Sequence, residues 1–210
     1  MVKEFEKRLI TSLILIPLSI FFIIKGSIFF IFFLSILFLT ASYEWILMSK
    51  KNNLFRLLGI IFLFFSFYSA FKYGENYKEF LFIITICIFT DIGGYIFGKI
   101  FNGPKLTKIS PKKTYAGVFG GFIFSLCTGF IFWHFVIRGP KLPDEELIIF
   151  IFILLISLIS QIGDLIISFF KRKAKLKDTG KILPGHGGLL DRIDGMIFVI
   201  PITLILTFFL

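Results

Sequence analysis

Long apolar runs alternate with short polar segments along the whole chain. The runs lack the alternation of apolar and polar positions that is typical of membrane-spanning β-strands. Most approach the roughly 20 residues that a helix needs to cross a bilayer. The pattern therefore predicts an all-α polytopic membrane protein with about seven transmembrane helices. The predicted spans are residues 9–24, 26–43, 57–71, 80–98, 115–137, 147–170 and 195–210.

Composition excludes a soluble protein of this size. Of the 210 residues, 57% are hydrophobic and 17% are charged, whereas soluble domains have about 45–50% apolar and about 25% charged residues. One soluble core could not bury that excess. Cys87 and Cys127 both lie inside apolar runs, which favours structural thiols over a disulfide or a pair of metal ligands.

The distribution of basic residues predicts the orientation of the chain. Alternate polar segments hold 18 and 5 of the 23 Lys and Arg residues. Because cytoplasmic loops carry the excess of positive charge, we expect a cytoplasmic N-terminus and an external C-terminus if all seven runs span. The net charge of +10 then reflects loops that face anionic lipid, and nucleic acid is not an expected partner. No small-residue cleavage site follows the first run, so we expect an uncleaved helix.

Four aspartates are predicted to gather at one membrane face. Asp91 and Asp164 lie inside predicted spans, where a carboxylate costs about 2.5–3.5 kcal/mol on insertion scales. Both stand near the cytoplasmic ends of their spans, whereas Asp191 and Asp194 stand at the start of the last span and share a face if that segment is helical. Such residues usually face a polar cavity, a partner charge or a metal. The alternative is a buried Asp that caps a helix or pairs with a Lys.

Two basic loops, residues 99–113 and 171–192, are predicted at the same face. Carboxylates surrounded by Lys and Arg suit metal and phosphate chemistry, because Mg²⁺ takes one or two carboxylates plus substrate phosphates and cations neutralise transferring phosphoryl groups. The basic run alone would be an ordinary cytoplasmic anchor. The stretch Pro184-Gly185-His186-Gly187-Gly188 adds glycines that let a backbone approach phosphate.

Other residues allow two interpretations. His186 either serves in phosphate binding or proton transfer or is structural. The small-residue patterns at 94–98 and 117–121 predict close helix packing rather than a ligand site. Because nearly all unusual residues follow position 72, we divide the chain into N-terminal transmembrane helices, residues 1–71, and a C-terminal transmembrane region, residues 72–210.

The segment 168–194 reads S-F-F-K-R-K-A-K-L-K-D, a short spacer, and H-G-G-L-L-D-R-I-D. It resembles the signature of phosphatidate cytidylyltransferases, which are also called CDP-diacylglycerol synthases. Residues 161–164, 90–98 and 110–114 resemble further elements of that family, and residues 7–11 also have its look. The convincing resemblance covers about residues 80–210. Tyr115-Ala116 departs from the Trp-Glu that is frequent in the family, and the N-terminal part is short for it.

The resemblance implies transfer of CMP from CTP to phosphatidate, which gives CDP-diacylglycerol and pyrophosphate in phospholipid biosynthesis. It makes the C-terminal region catalytic, with Mg²⁺ bound by Asp164 and Asp191. It also implies a homodimer among membrane lipid. The lack of a recognisable targeting sequence and the compact form favour a bacterial inner membrane, and the distribution of basic residues predicts a site on the cytoplasmic side. The catalytic residues that the resemblance implies are Asp164, Asp191, Asp194, Lys177, Asp178 and His186. The substrate-binding residues that it implies are Ser168, Lys171, Arg172, Arg192, Gly187, Gly188, Lys112, Lys113 and Asp91.

Several alternatives stay open at this point. Asp191-x-x-Asp194-Gly195 copies the start of the CDP-alcohol phosphotransferase motif, but the rest of that motif does not follow. A CTP-dependent lipid or polyprenol kinase would transfer the terminal phosphate, and no sequence feature excludes it. An anion transporter would need a pathway to both faces, whereas the charges cluster at one. A non-catalytic homologue is disfavoured because Asp164, Asp191 and Asp194 are intact.

Overall fold

The computed structural model describes residues 2–50, 52–74, 76–107, 109–137, 145–185 and 187–206. Within these ranges the chain forms eight α-helices and no β-strand, with only two isolated β-bridges, Lys105–Thr114 and Leu183–Gly187. The all-α prediction is therefore confirmed. The helices are α1 (Val2–Lys25), α2 (Ser27–Met48), α3 (Asn53–Tyr73), α4 (Tyr77–Phe101), α5 (Tyr115–Phe132), α6 (Glu145–Lys173), α7 (Leu190–Ile193) and α8 (Met196–Leu206), and α5 continues into a π-helical turn, Trp133–Ile137.

Five helices among the described residues, α2 to α6, are long and apolar enough to cross a membrane. The apolar part of α1, Leu9–Lys25, and helix α8 are shorter. Each predicted span overlaps a helix, although residues 207–210 of the last one lie outside the described residues. The count of seven spans and the orientation of the N-terminus stay predictions.

Many apolar side chains are exposed on the outside of the helices, and the interior combines two apolar core clusters with buried small polar residues. Leu13 and Phe119 are 64% and 66% exposed, whereas Ser69, Ser125 and Ser157 are completely buried. This distribution is the one expected where lipid is the solvent, because apolar association gains little there and small or hydroxylated residues let helices approach.

Helices α4 and α5 form the closest helix pair among the described elements. A Cβ atom added to Gly117 would lie 2.7 Å from the Gly94 carbonyl oxygen, and one added to Gly93 would overlap the Gly120 carbonyl. The predicted close packing at these glycines is therefore confirmed. Thr114 caps the start of α5 by accepting a hydrogen bond from Gly117 N at 3.1 Å, which fixes the loop before α5 beside the end of α4.

One of the two apolar core clusters positions the polar segment between Ala174 and Leu189 and the helix α7 that follows it. Trp45 of α2 meets the Phe170 ring of α6 edge-on at 5.0 Å between centroids, and its indole donates to the Phe55 carbonyl at 3.2 Å. The fully buried Leu190 of α7 belongs to the same cluster as Trp45. Packing against α2 therefore holds α7 in place.

Candidate active site

Asp164 of α6 forms an ion pair with Lys113, which follows Ser110-Pro111-Lys112 in the loop before α5. The Lys113 Nζ–Asp164 Oδ2 distance is 2.5 Å, and Lys113 Nζ also donates to the Gln161 carbonyl at 3.3 Å. Ser168, one turn along α6, donates to Asp164 Oδ1 at 3.4 Å. The Lys pairing that the sequence left open as an alternative is therefore present, and it brings two of the predicted elements together.

Asp194 lies next to Asp164 at the end of α7. The two carboxyl groups share a hydrogen bond, and Asp194 Oδ1 accepts from Gly195 N at 3.0 Å. Burial raises the pKa of Asp194 well above its ordinary value, and the negative charge of Asp164 raises it further. Asp91 of α4 lies within electrostatic range of Asp164, Lys113 and Arg192. Three of the four predicted carboxylates thus share one polar region.

Asp191, in the first turn of α7, is held on both carboxylate oxygens. Lys171 Nζ lies 2.7 Å from Oδ1. Oδ2 accepts from Thr179 N at 2.8 Å, Thr179 Oγ1 at 3.1 Å and Gly188 N at 3.2 Å. Lys171 also interacts electrostatically with Asp164 and Asp194. This lysine therefore links Asp191 to the other carboxylates.

Three glycines of the segment between Ala174 and Leu189 meet a requirement of backbone conformation or of close packing. Gly187 has a positive φ of 83°, a backbone conformation that other residues adopt at a cost. A Cβ atom on Gly188 would collide with Thr179 Oγ1, and one on Gly180 would collide with the carboxylate of Glu44. His186 lies outside the described residues.

The remaining predicted residues line the exposed side of the site. Arg172 donates to the Leu176 carbonyl at 3.3 Å, and Arg192 interacts with Asp91. Both guanidinium groups therefore lie on the exposed side of the carboxylates. The exposed members are Lys112, Arg172, Lys177, Asp178 and Arg192.

Sequence reasoning missed Glu44 and Thr179. Glu44 of α2 is completely buried and receives a hydrogen bond from the buried hydroxyl of Thr179 at 2.8 Å. One signal was present, because Glu44 is the single acidic residue between Glu6 and Glu75. Glu44 directly follows the predicted span 26–43, and an acidic side chain that is buried at such a position needs a hydrogen-bond partner.

The described residues contain no ready-made group of three or more Asp, Glu, His or Cys side chains around one metal position. Asp164 and Asp191 nevertheless offer the hard oxygen ligands that Mg²⁺ prefers. Mg²⁺ commonly binds one or two carboxylates together with substrate phosphates rather than an all-protein cage. The donor set therefore fits a metal ion that binds together with a phosphorylated substrate. Metal binding at these oxygens would require Lys113 and Lys171 to release the carboxylate oxygens that they contact.

Comparison with known proteins places these residues in a family. Residues 53–210 match the model of the cytidylyltransferase family. The phosphatidate cytidylyltransferase of Staphylococcus epidermidis is 40% identical over 150 residues, and those of Staphylococcus haemolyticus and Staphylococcus aureus are 40% and 41% identical over 153 residues. Each match covers 71% of this chain and 55% of the relative, so the chain spans about half the length of these curated relatives. Since the family model covers most of the chain and every site residue described above except Glu44, the chain belongs to the cytidylyltransferase family.

Proposed function

We propose that the chain is a phosphatidate cytidylyltransferase that transfers CMP from CTP to phosphatidate, with CDP-diacylglycerol and pyrophosphate as products. The observation that carries the proposal is the Lys171–Asp191 pair beside the Asp164–Lys113 pair. This arrangement occurs in a chain whose relatives bear that name. The sequence division into helices 1–71 and a catalytic region 72–210 is part of the proposal.

The chemistry requires positioning and charge neutralisation more than covalent catalysis. A phosphatidate oxygen bonds to the α-phosphorus of CTP, the bond from that phosphorus to the bridging oxygen breaks, and pyrophosphate leaves. A phosphate monoester is already anionic at neutral pH, so no strong base is needed. Lys113 and Lys171 stand where their ammonium groups can be shared between the aspartates and phosphate oxygens.

We assign the exposed cations to the phosphates of the two substrates. Lys177 lies within the glycine-containing segment and Arg192 follows it in α7, so we propose that a triphosphate contacts both side chains and the backbone between them. The other substrate-binding residues in the proposal are Ser168, Arg172, Gly187, Gly188, Lys112, Lys113, Lys171 and Asp91, and Asp178 and His186 complete the catalytic set with Asp164, Asp191 and Asp194.

Mg²⁺ belongs to the proposal as a cofactor that Asp164 and Asp191 hold. When bound, it would neutralise charge on the substrate phosphates and on the leaving pyrophosphate. Ser168 orients Asp164 through its 3.4 Å hydrogen bond, and Asp194 interacts with the same carboxyl group. Thr179 and Gly188 donate to Asp191 Oδ2. The other oxygen, Oδ1, contacts Lys171, and we propose that this oxygen would become available to the metal ion when Lys171 turns to a substrate phosphate.

The membrane arrangement suits a lipid substrate. The acyl chains of phosphatidate stay in the bilayer, whereas its headgroup must meet CTP from water. We propose seven spans with the N-terminus inside, the site on the cytoplasmic face of a bacterial inner membrane, and a homodimer. The apolar outer surface and the basic residues around the carboxylates support contact with lipid that carries an anionic headgroup.

Replacement of Asp191 by Asn tests the proposal. We expect purified wild type to form CDP-diacylglycerol from CTP and phosphatidate only with Mg²⁺. Asp191→Asn should lose at least about a hundredfold in kcat, because removal of a charged group that acts in the transition state costs about 3 kcal/mol or more. Glu79→Gln removes an exposed carboxylate at the start of α4 and should retain wild-type activity. A folded Asp191→Asn with wild-type kcat would contradict the assignment.

A further inference from the structure

Glu44 is a buried carboxylate outside the part of the chain that matches the family model. It lies one turn before the end of α2, with 0% of its surface exposed, whereas the match begins at residue 53. A buried carboxylate is strongly destabilising unless hydrogen-bond donors surround it. The partners of Glu44 therefore show what this residue is for.

Among the described residues, Glu44 accepts three hydrogen bonds, and all of them come from the segment before α7 and from the start of α7. Oε2 accepts from Thr179 Oγ1 and from Leu190 N, both at 2.8 Å, and Oε1 accepts from Leu189 N at 3.0 Å. Thr179 and Leu189 are ten positions apart in the chain. One side chain of α2 thus fastens both ends of the segment that contains the glycines.

The same segment fixes Asp191. Thr179 N donates to Asp191 Oδ2 at 2.8 Å, and the Thr179 hydroxyl lies 3.1 Å from that oxygen. A hydroxyl carries a single proton, so Thr179 shares it between the carboxylates of Glu44 and Asp191. The position of Asp191 is therefore coupled to Glu44 through Thr179 and through the adjacent Leu190.

Two further observations connect the N-terminal helices with this segment. Gly180 and Gly188 leave the space that the Glu44 carboxylate occupies, since a Cβ atom on either one would meet it. In α1, Thr11 Oγ1 donates to the Pro184 carbonyl at 3.0 Å. Both α1 and α2 thus contact the segment through polar groups.

We propose that Glu44 is a positioning residue for cytidylyl transfer, which holds Thr179 and Asp191 in the geometry that the reaction requires. Helices α1 and α2 are then part of the active-site scaffold and not membrane anchors alone. This inference rests on the proposed function for its kinetic test, but the ordering of the segment can be measured without turnover.

The first variant is Glu44→Gln, which keeps the size of the side chain and replaces one acceptor oxygen with an NH₂ donor. That donor must face at least one of the three donors that now point at Glu44. We expect kcat to fall about ten- to a hundredfold, because hydrogen bonds to a charged group are among the stronger ones in proteins. The KM for CTP should stay within about twofold of wild type. Ser42→Ala is the matched control: Ser42 is buried on the same helix, and its hydroxyl has no partner among the described residues. It should retain wild-type kcat.

The second pair of variants separates positioning from folding. Thr179→Val removes the hydroxyl and keeps the shape, whereas Thr179→Ser keeps the hydroxyl. We expect kcat to fall in the Val variant as it does in Glu44→Gln, and the Ser variant to retain most of the wild-type kcat. The double variant Glu44→Gln/Thr179→Val should have a kcat no lower than that of the less active single variant, because the two substitutions break the same hydrogen-bond network. If Glu44→Gln does not fold, equal kcat in the Val and Ser variants would overturn the proposal.

Trypsin provides a readout that is independent of activity. Trypsin cleaves after lysine, and Lys177 and Lys181 are exposed in the segment. Loss of the Glu44 hydrogen bonds makes local opening of the segment more frequent, and cleavage follows the population of the open form. We therefore expect Glu44→Gln to be cleaved there at least about fivefold faster than wild type. Ser42→Ala should be cut at the wild-type rate. If the wild type is inactive but Glu44→Gln is still cleaved faster than wild type, the result contradicts the proposed function and leaves the ordering role of Glu44 intact. Glu44→Gln with wild-type kcat and wild-type cleavage overturns the positioning role.

Discussion

At the residue scale, Asp164, Asp191 and Asp194 are each held by a lysine or a backbone amide. Lys113 and Lys171 hold Asp164 and Asp191 at 2.5 and 2.7 Å. Each lysine is largely shielded from water, so these charge-assisted contacts are stronger than exposed ion pairs. In the proposed function, the same two lysines also neutralise phosphate charge, so the proposal predicts that neutral replacement of either one lowers kcat.

Replacement of Lys113 by Met should therefore lower kcat by at least about tenfold, because the ammonium that neutralises phosphate charge is lost and Asp164 loses its partner. Product formation from labelled CTP at saturating substrate measures the effect. Lys72→Met is the control. Lys72 is exposed in the last turn of α3, over the ring of Tyr68, and its replacement should leave kcat unchanged. A Lys113→Met enzyme with wild-type kcat would show that the pair is structural.

The sequence indicated most of these residues but not their pairing. Asp164 and Asp191 were recognisable because a carboxylate in or beside an apolar run needs a reason to be there. The choice of Lys113 for one and Lys171 for the other depends on how a loop folds over α6, which local patterns do not encode. Glu44 was missed because its partner Thr179 is 135 positions away.

At the element scale, the helices follow directly from the apolar runs, since a helix satisfies its backbone hydrogen bonds internally. The structure extends several of them past the predicted spans: α4 reaches from Tyr77 to Phe101, whereas the prediction was 80–98. Polar residues at the membrane boundary continue a helix without an apolar signal, so the pattern could not locate these ends. The small-residue patterns, in contrast, predicted close helix packing correctly, and the structure shows that the two helices that carry them pack against each other.

Adjacent glycines of α4 should respond differently to alanine. A Cβ atom at Gly93 would overlap the Gly120 carbonyl, whereas one at Gly94 would lie 3.5 Å from the Gly117 carbonyl, an ordinary contact. We expect Gly93→Ala to destabilise the protein by about 1–3 kcal/mol through overpacking and Gly94→Ala to be close to neutral. Thermal unfolding in detergent measures both. Equal midpoints for the two variants would contradict the packing described here.

At the scale of the whole molecule, the polar groups lie at one end of the helical bundle. The loop before α5 and the segment before α7 meet there, because Lys113 pairs with Asp164 and Lys171 pairs with Asp191. The start of α3 is at the same end, since Phe55 contacts Phe170. The turn between α3 and α4, near Asn76, is therefore at the opposite end.

This arrangement predicts the accessibility of single cysteines. In a background with Cys87→Ser and Cys127→Ser, Lys105→Cys and Lys177→Cys should react with a membrane-impermeant thiol reagent only from the cytoplasmic side, and Asn76→Cys only from the other side. Labelling of right-side-out and inverted vesicles measures this. Reaction of all three positions from one side would contradict the proposed topology.

The most direct measurement follows the two ends of CTP separately. Purified wild type is supplied with phosphatidate, Mg²⁺ and CTP that carries a label on either the α- or the γ-phosphate. We predict that the α label enters a lipid, CDP-diacylglycerol, and that the γ label leaves in pyrophosphate. Entry of the γ label into lipid with release of CDP would contradict a cytidylyltransferase and identify a CTP-dependent lipid kinase.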